Sequence, residues 1–349
     1  MAAKGVAPGI RPGDALTLVA LLAESEDASL APVARATLDR LPTPLLNGAL
    51  AGDVPPGVLA AIAPRYATNT PVMAKLLVHP ALPAAAVLDA AAHASEEVGE
   101  LIAINEERLL KHPEIIEKLY MNKAIRMSTA DRILELAVRN HLELSGIPAY
   151  KEAAMAIGQE LIAEPCAEPT PDDLIFREID AVSSAAPIDL AKEDTHRVDD
   201  STGDEVVDEK FLPLHARLAA MTVSQKIRRA MLGSAAERLL LVRDNNRLVA
   251  TSAIKSPLIQ ENEVTRISAS RNVSEDVLRV IALSREWTRS HQIKLNLVSN
   301  PRTPFAFASK LIAHLREHEL KALARSKNVG GAVVTAAKQH LERRNVKNE

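Results

Sequence analysis

Near the end of the chain stand His314-Leu315-Arg316-Glu317-His318, the H-x-x-E-H order in which inverted zinc peptidases offer two histidines to a metal and a glutamate to its bound water. That chemistry needs one unbroken helix beneath both histidines and a carboxylate ligand well downstream. Only Glu319, Glu342 and Glu349 follow as acids. An internal alignment, given below, sets the motif across a turn, so a solvated helix junction is expected and no metal ligand is assigned. The single cysteine, Cys166, lies among prolines with Glu164 and Glu168 beside it, a poor setting for a thiolate nucleophile. Alone, it excludes a disulfide framework or a cysteine-built zinc or iron–sulfur site within the chain. No G-x-S-x-G elbow, G-x-x-x-x-G-K-[ST] loop or G-x-G-x-x-G fingerprint occurs. Asn272-Val273-Ser274 is formally a glycosylation sequon but reads as a helix cap. The expectation is a non-enzymatic chain with no cofactor.

Cations carry the stronger lead. Arg243, Arg247, Lys255, Arg271, Arg302 and Lys327 fall at or near predicted inter-helix turns, and stacking of helix pairs would bring several onto one ridge. Trp287, the only tryptophan, lies between Arg285 and Arg289 and reads either as core filler or as a binding hot spot. Arg243, Arg247, Lys255, Arg271, Trp287, Arg289, Arg302 and Lys327 therefore form the candidate surface for an anionic partner. That partner is an acidic protein or peptide segment, a nucleic-acid backbone, or the chain's own acidic stretch. The competing reading is that these side chains are the solvated faces of amphipathic helices. Aromatics at 2% argue against base-stacking platforms for single strands.

The elements that would hold such a ridge follow from composition and charge. Apolar residues make up 47% of the 349 residues but aromatics so few that Ala, Leu, Val and Ile must fill the core, which favours helix-on-helix packing over a β-sandwich. The net charge of −3 hides an asymmetry. Residues 1–159 carry 14 Lys+Arg against 18 Asp+Glu (−4), residues 160–212 carry 4 against 16 (−12), and residues 213–349 carry 24 against 11 (+13). With Pro165, Pro169, Pro171 and Pro187 and little apolar periodicity, 160–212 is expected as a disordered or loosely held acidic linker; one amphipathic patch, 173–179, reads as a docking turn. The fold expected is all-α, with an N-terminal helical-repeat domain at 1–159 and a basic C-terminal one at 213–349. No stretch reaches the roughly 18 apolar residues needed to span a bilayer. The apolar run 15–23, preceded by Asp14 and followed by Glu24 and Glu26, reads as a helix rather than a secretory signal, placing the chain in the cytoplasm.

Helix starts are expected at Thr70-Pro71, Leu82-Pro83, His112-Pro113, Ser256-Pro257 and Thr303-Pro304, where proline loses no useful donor. Ser128 with Asp131, and Thr222 with Gln225, have capping-box spacing, and Ser274 precedes two acids. Leu239-Leu240-Leu241-Val242 is the one short strand candidate, which a helix covers equally well.

Units recur along the chain. At an offset of 221, Pro80 and Pro83 match Pro301 and Pro304, His93 matches His314, and Leu101-Ile102-Ala103 matches Ala322-Leu323-Ala324; Ser95, Glu96 and Glu97 then fall opposite the H-x-x-E-H motif. Ser270-Arg271-Asn272-Val273 returns as Ser326-Lys327-Asn328-Val329, and Lys255-Ser256-Pro257 returns as Ser299-Asn300-Pro301. The run 298–304, a helix, and then 320–329 resembles the leucine-rich repeat variant, a HEAT-like all-α repeat, over about residues 40–140 and 235–340. The resemblance implies short helices stacked into an α-solenoid whose groove binds a polypeptide. Some members carry an N-terminal iron–sulfur cluster on several cysteines, which one cysteine cannot supply. The leading expectation is a binding scaffold that captures an acidic segment, with nucleic-acid backbone binding as the alternative and the acidic linker competing in cis.

Overall fold

The computed structural model describes residues 2–5, 9–162, 164–166, 168–199, 202–326 and 328–348. They form two compact units, Met1–Ile147 with Ile162–Pro169, and Pro148–Leu161 with Thr170–Glu349. The architecture is helical, with one two-stranded sheet among the described residues.

The first unit contains α1 (Pro12–Ala23), α2 (Ala31–Leu38), α3 (Thr43–Leu50), α4 (Pro56–Ile62), α5 (Thr70–Leu77), α6 (Ala84–Ala91), α7 (Glu96–Ala103), α8 (Glu106–Lys111), α9 (Glu114–Met121) and α10 (Met127–Arg139). Proline opens the first five, and Asn69, Ser95 and Asn105 cap α5, α7 and α8 through the backbone N–H groups of Val72, Val98 and Arg108. Helices pack on near neighbours in sequence: α1 on α2 and α3, α5 on α7, α6 on α9, and α10 on α7 and α9. Small side chains such as Ala86, Ala90 and Ala91 lie fully buried among Leu, Ile and Val, so short helices approach closely without large aromatics.

The second unit contains α11 (Tyr150–Ile157), α12 (Pro171–Ala185), β1 (His196–Val198), β2 (Glu205–Val207), α13 (Leu212–Ala219), α14 (Val223–Leu232), α15 (Ala235–Leu241), α16 (Arg247–Ile254), α17 (Glu261–Ala269), α18 (Glu275–Leu283), α19 (His291–Ser299), α20 (Phe305–Ile312), α21 (Glu317–Arg325) and α22 (Gly331–Asn348). From α13 onward the packing alternates. α14, α16, α18, α20 and α22 touch in succession, as do α13, α15, α17 and α19. Side-chain bonds fix which helix ends lie together. Arg243, just past α15, donates to Ser270 Oγ past α17, and Asn300 past α19 donates to the carbonyls of Ser268 and Ser270.

Several local expectations need correction. Residues 160–212 carry regular structure. Thr170 and Asp173 close a reciprocal capping box on α12, whose Phe176 and Ile179 are buried, and β1 pairs antiparallel with β2, His196 opposite Val207. The composition reading missed that two apolar residues and several carboxylates suffice when arginines wait on a neighbouring surface. Ser256-Pro257 forms a turn, not a helix start; α17 begins at Glu261, where Gln260 N–H donates to Glu263 Oε1. Ser128 falls inside α10, which starts at Met127 with Arg126 at its N-cap. Thr222 and Gln225 do close a box on α14, whereas Ser274 occupies the N-cap of α18 with its buried Oγ unbonded. Leu239–Leu241 are helical.

Candidate functional site: a cationic edge and its acidic strap

Buried arginines hold α12 to α14. Arg228 and Arg229 of α14 set their guanidinium carbons 5.0 and 5.1 Å from the Phe176 ring centroid. Arg229 Nε and Nη2 donate to the Glu237 carboxylate at 2.7 and 2.8 Å, and Nη2 also reaches Asp180 at 2.8 Å. Burial opposes the Arg229 charge, but Glu237 and Asp180 outweigh it and raise its pKa. Arg238 repeats the fork on Glu263 at 2.9 and 2.8 Å, linking α15 to α17. Glu237 also closes the capping box of α15, so one carboxylate serves a helix start and an ion pair. Gly233 is required between them: a Cβ there would stand 2.3 Å from Glu237 Oε2 and 2.6 Å from the Arg229 carbonyl oxygen.

The following segment lies along the ends of α15 and α17. Arg243, with a side chain only 4% exposed, donates through Nη2 to Asp194 at 3.2 Å and through Nη1 to Thr195 Oγ1 at 3.4 Å, while its Nε is 3.7 Å from Glu205. Glu205 Oε2 accepts from Ser270 Oγ at 2.5 Å and Oε1 from the Arg271 backbone N–H at 2.8 Å. Asn272 Nδ2 donates to the Glu205 carbonyl at 2.9 Å. Three consecutive residues of one inter-helix turn thus hold one glutamate by side chain and backbone. Upstream, Arg266 donates twice to the Leu190 carbonyl oxygen.

Beside Arg243 a cavity of about 480 Å³ is lined by His196, His215, Lys226, Asp244 and Asn246, among others. Lys226 and Asp244 pair across 3.3 Å. Burial first, then the neighbouring Arg243 cation, with His215 adding to both, pushes His196 down to about 4 against the pull of Asp194 and Glu205, so its imidazole is neutral at pH 7.

The structure sorts the eight residues expected from sequence. Arg243, Arg271 and Arg302 belong to the turns after α15, α17 and α19, the edge that the Arg243–Ser270 and Asn300–Ser270 bonds define. Arg247 opens α16 from that edge and pairs with Asp276 at 2.8 Å. Lys255 follows α16, at the other end of that helix, and pairs with Glu152 at 2.6 Å. Trp287 is half-buried in a single 3-10 turn with exposed Arg289, between α18 and α19, again off the edge. Arg271 and Arg302 are exposed, and Lys327 lies outside the described residues. Sequence reading missed Ser270, Asn272, Glu205 and Asp194; the one available signal was the opposed charge of adjacent segments. The H-x-x-E-H run does straddle a turn, with Arg316 at the N-cap of α21 and Glu317 paired to Lys321 at 2.6 Å. Cys166 is exposed, its Sγ 2.9 Å from the Glu168 carbonyl. No helix of the described residues is long and apolar enough to cross a membrane. In comparison with known proteins, no family model matches the chain and no curated protein matches it.

Proposed function

We propose that this chain is a non-enzymatic, cytoplasmic scaffold of the HEAT-like α-solenoid kind, whose cationic edge captures an acidic polypeptide segment. The observation that carries the reading is the capture of Glu205 by Ser270, Arg271 and Asn272, with Arg243 between Asp194 and Glu205. A short strand opened by a glutamate is what that edge already holds, and a partner of the same chemistry competes for it. The in-cis strand acts as a placeholder, so that apparent affinity is the intrinsic affinity multiplied by the fraction of time the strand is undocked. Nucleic-acid backbone binding is less well supported, because Arg243, Arg247 and Lys255 already face carboxylates.

The test compares the full chain with the double variant Asp194→Asn/Glu205→Gln, titrated with a labelled peptide of residues 194–208 and separately with duplex DNA at roughly 50 mM salt. Peptide affinity rises about tenfold in the variant, and duplex binding is absent. Duplex binding without peptide binding would transfer the proposal to the nucleic-acid alternative.

A further inference from the structure

The turn that holds Glu205 has a twin. Ser270-Arg271-Asn272-Val273 follows α17 and leads into α18, and Ser326-Lys327-Asn328-Val329 follows α21 and leads into α22. Both serines sit at the C-cap with nearly the same backbone, φ −68° and ψ 138° at Ser270 against φ −71° and ψ 133° at Ser326. Each serine Oγ accepts a backbone bond from the asparagine two residues on, Asn272 N–H at 3.3 Å and Asn328 N–H at 3.2 Å. That bond leaves the hydroxyl proton to point outward, and in the first turn the proton goes to Glu205. Among the described residues no carboxylate is bonded to Ser326 or Asn328.

The turn between them is built differently. Asn300 spends its Nδ2 on the carbonyls of Ser268 and Ser270 and its Oδ1 on the Arg302 N–H. It has no side-chain donor left for a ligand and offers the edge only the exposed Arg302 guanidinium. Along the edge the carboxylate-holding turn after α17 is therefore followed by a cation, Arg302, after α19.

We propose that Ser326 and Asn328 form a second carboxylate-binding turn, taking a Glu or Asp side chain of the same extended acidic segment; this rests on the reading of the edge given above. Successive helices of such an array lie about 8–10 Å apart, so two steps span up to about 20 Å. An extended chain rises about 3.3 Å per residue, which sets the two partner carboxylates about six residues apart. Arg302 then faces the middle of the segment.

The experiment uses the full chain with Glu205→Gln, which opens the first turn, and two synthetic peptides of the same neutral β-prone background. One carries two glutamates six residues apart and the other a single glutamate. The two-glutamate peptide binds at least about tenfold tighter. Adding Ser326→Ala/Asn328→Ala removes that advantage and leaves the single-glutamate affinity where it was. Asn328→Asp, which sets a like charge beside the incoming carboxylate, does the same and guards against a misfolded double variant. A two-glutamate advantage that survives both variants, or no advantage at all while the single-glutamate peptide binds, overturns the second turn and leaves the edge reading standing. If neither peptide binds, both the second turn and the edge reading are overturned.

Discussion

Glu205 and Ser270, 65 residues apart, meet through a 2.5 Å hydrogen bond that joins the most acidic stretch of the chain to its most basic one. The Glu205 side chain is 17% exposed, which makes the contact partly desolvated. Removing its charge by Glu205→Gln weakens the bonds from Ser270 Oγ and the Arg271 N–H and the ion pair with Arg243, and leaves the Asn272 bond to the backbone carbonyl in place. A loss of about 1–3 kcal/mol in denaturant unfolding is expected, together with faster amide exchange across residues 196–207. Unchanged exchange there would mean that the strand is held by its backbone alone.

Arg229 and Glu237 make a different kind of contact, with both side chains 1% exposed. Truncating one partner strands a buried charge, so Arg229→Met or Glu237→Leu alone should cost about 3–5 kcal/mol. The double replacement should recover most of that loss. Additive losses in urea melts of the two single variants and the double would show that the pair is not coupled as drawn.

Phe176 anchors α12, buried beside two guanidinium groups. Phe176→Ala should destabilise the second unit by about 3–5 kcal/mol and expose residues 171–185 to limited proteolysis at low protease. If cleavage within 171–185 is already rapid in the parent chain, α12 is not docked.

His196 gives the second unit a pH dependence. Its folded pKa, about 4, lies below the ordinary histidine value of 6.5, so between those values the unfolded chain binds more protons than the folded one. The contribution is fully present above about pH 6.5 and is lost as pH falls toward 4. His196→Asn should flatten stability over that window relative to the parent, measured by thermal melts at fixed ionic strength. Parallel curves for the two proteins would contradict the burial of a neutral imidazole.

How far the sequence could be read depended on where each residue's partner lies. Helix pairs were legible because their signals are local: the Thr222–Gln225 box and the proline starts of α5, α6, α9 and α20 need no distant contact. The charge split was legible too, and it marked the segments that meet. Arg229 and Arg238 were not, because an arginine on a short helix has the same spacing whether it points to water or to a carboxylate at another helix start. The three-residue strands β1 and β2 were too short to show alternation, and their docking depends on Ser270 and Asn272, whose types carry no hint of a carboxylate ligand. Lys255 joined the candidate ridge because turns were counted without regard to which end of a helix each one occupies, and Trp287 joined it because arginines flank it in sequence.

Displacement is the property on which the scaffold reading turns, and hydrogen exchange measures it directly. With the full chain incubated in excess acidic peptide of residues 194–208, amides of the chain's own segment 194–208 should exchange about tenfold faster than in a peptide whose acids are neutralised, while the cores of α14 and α16 keep their protection. Identical exchange in both peptides would contradict the account.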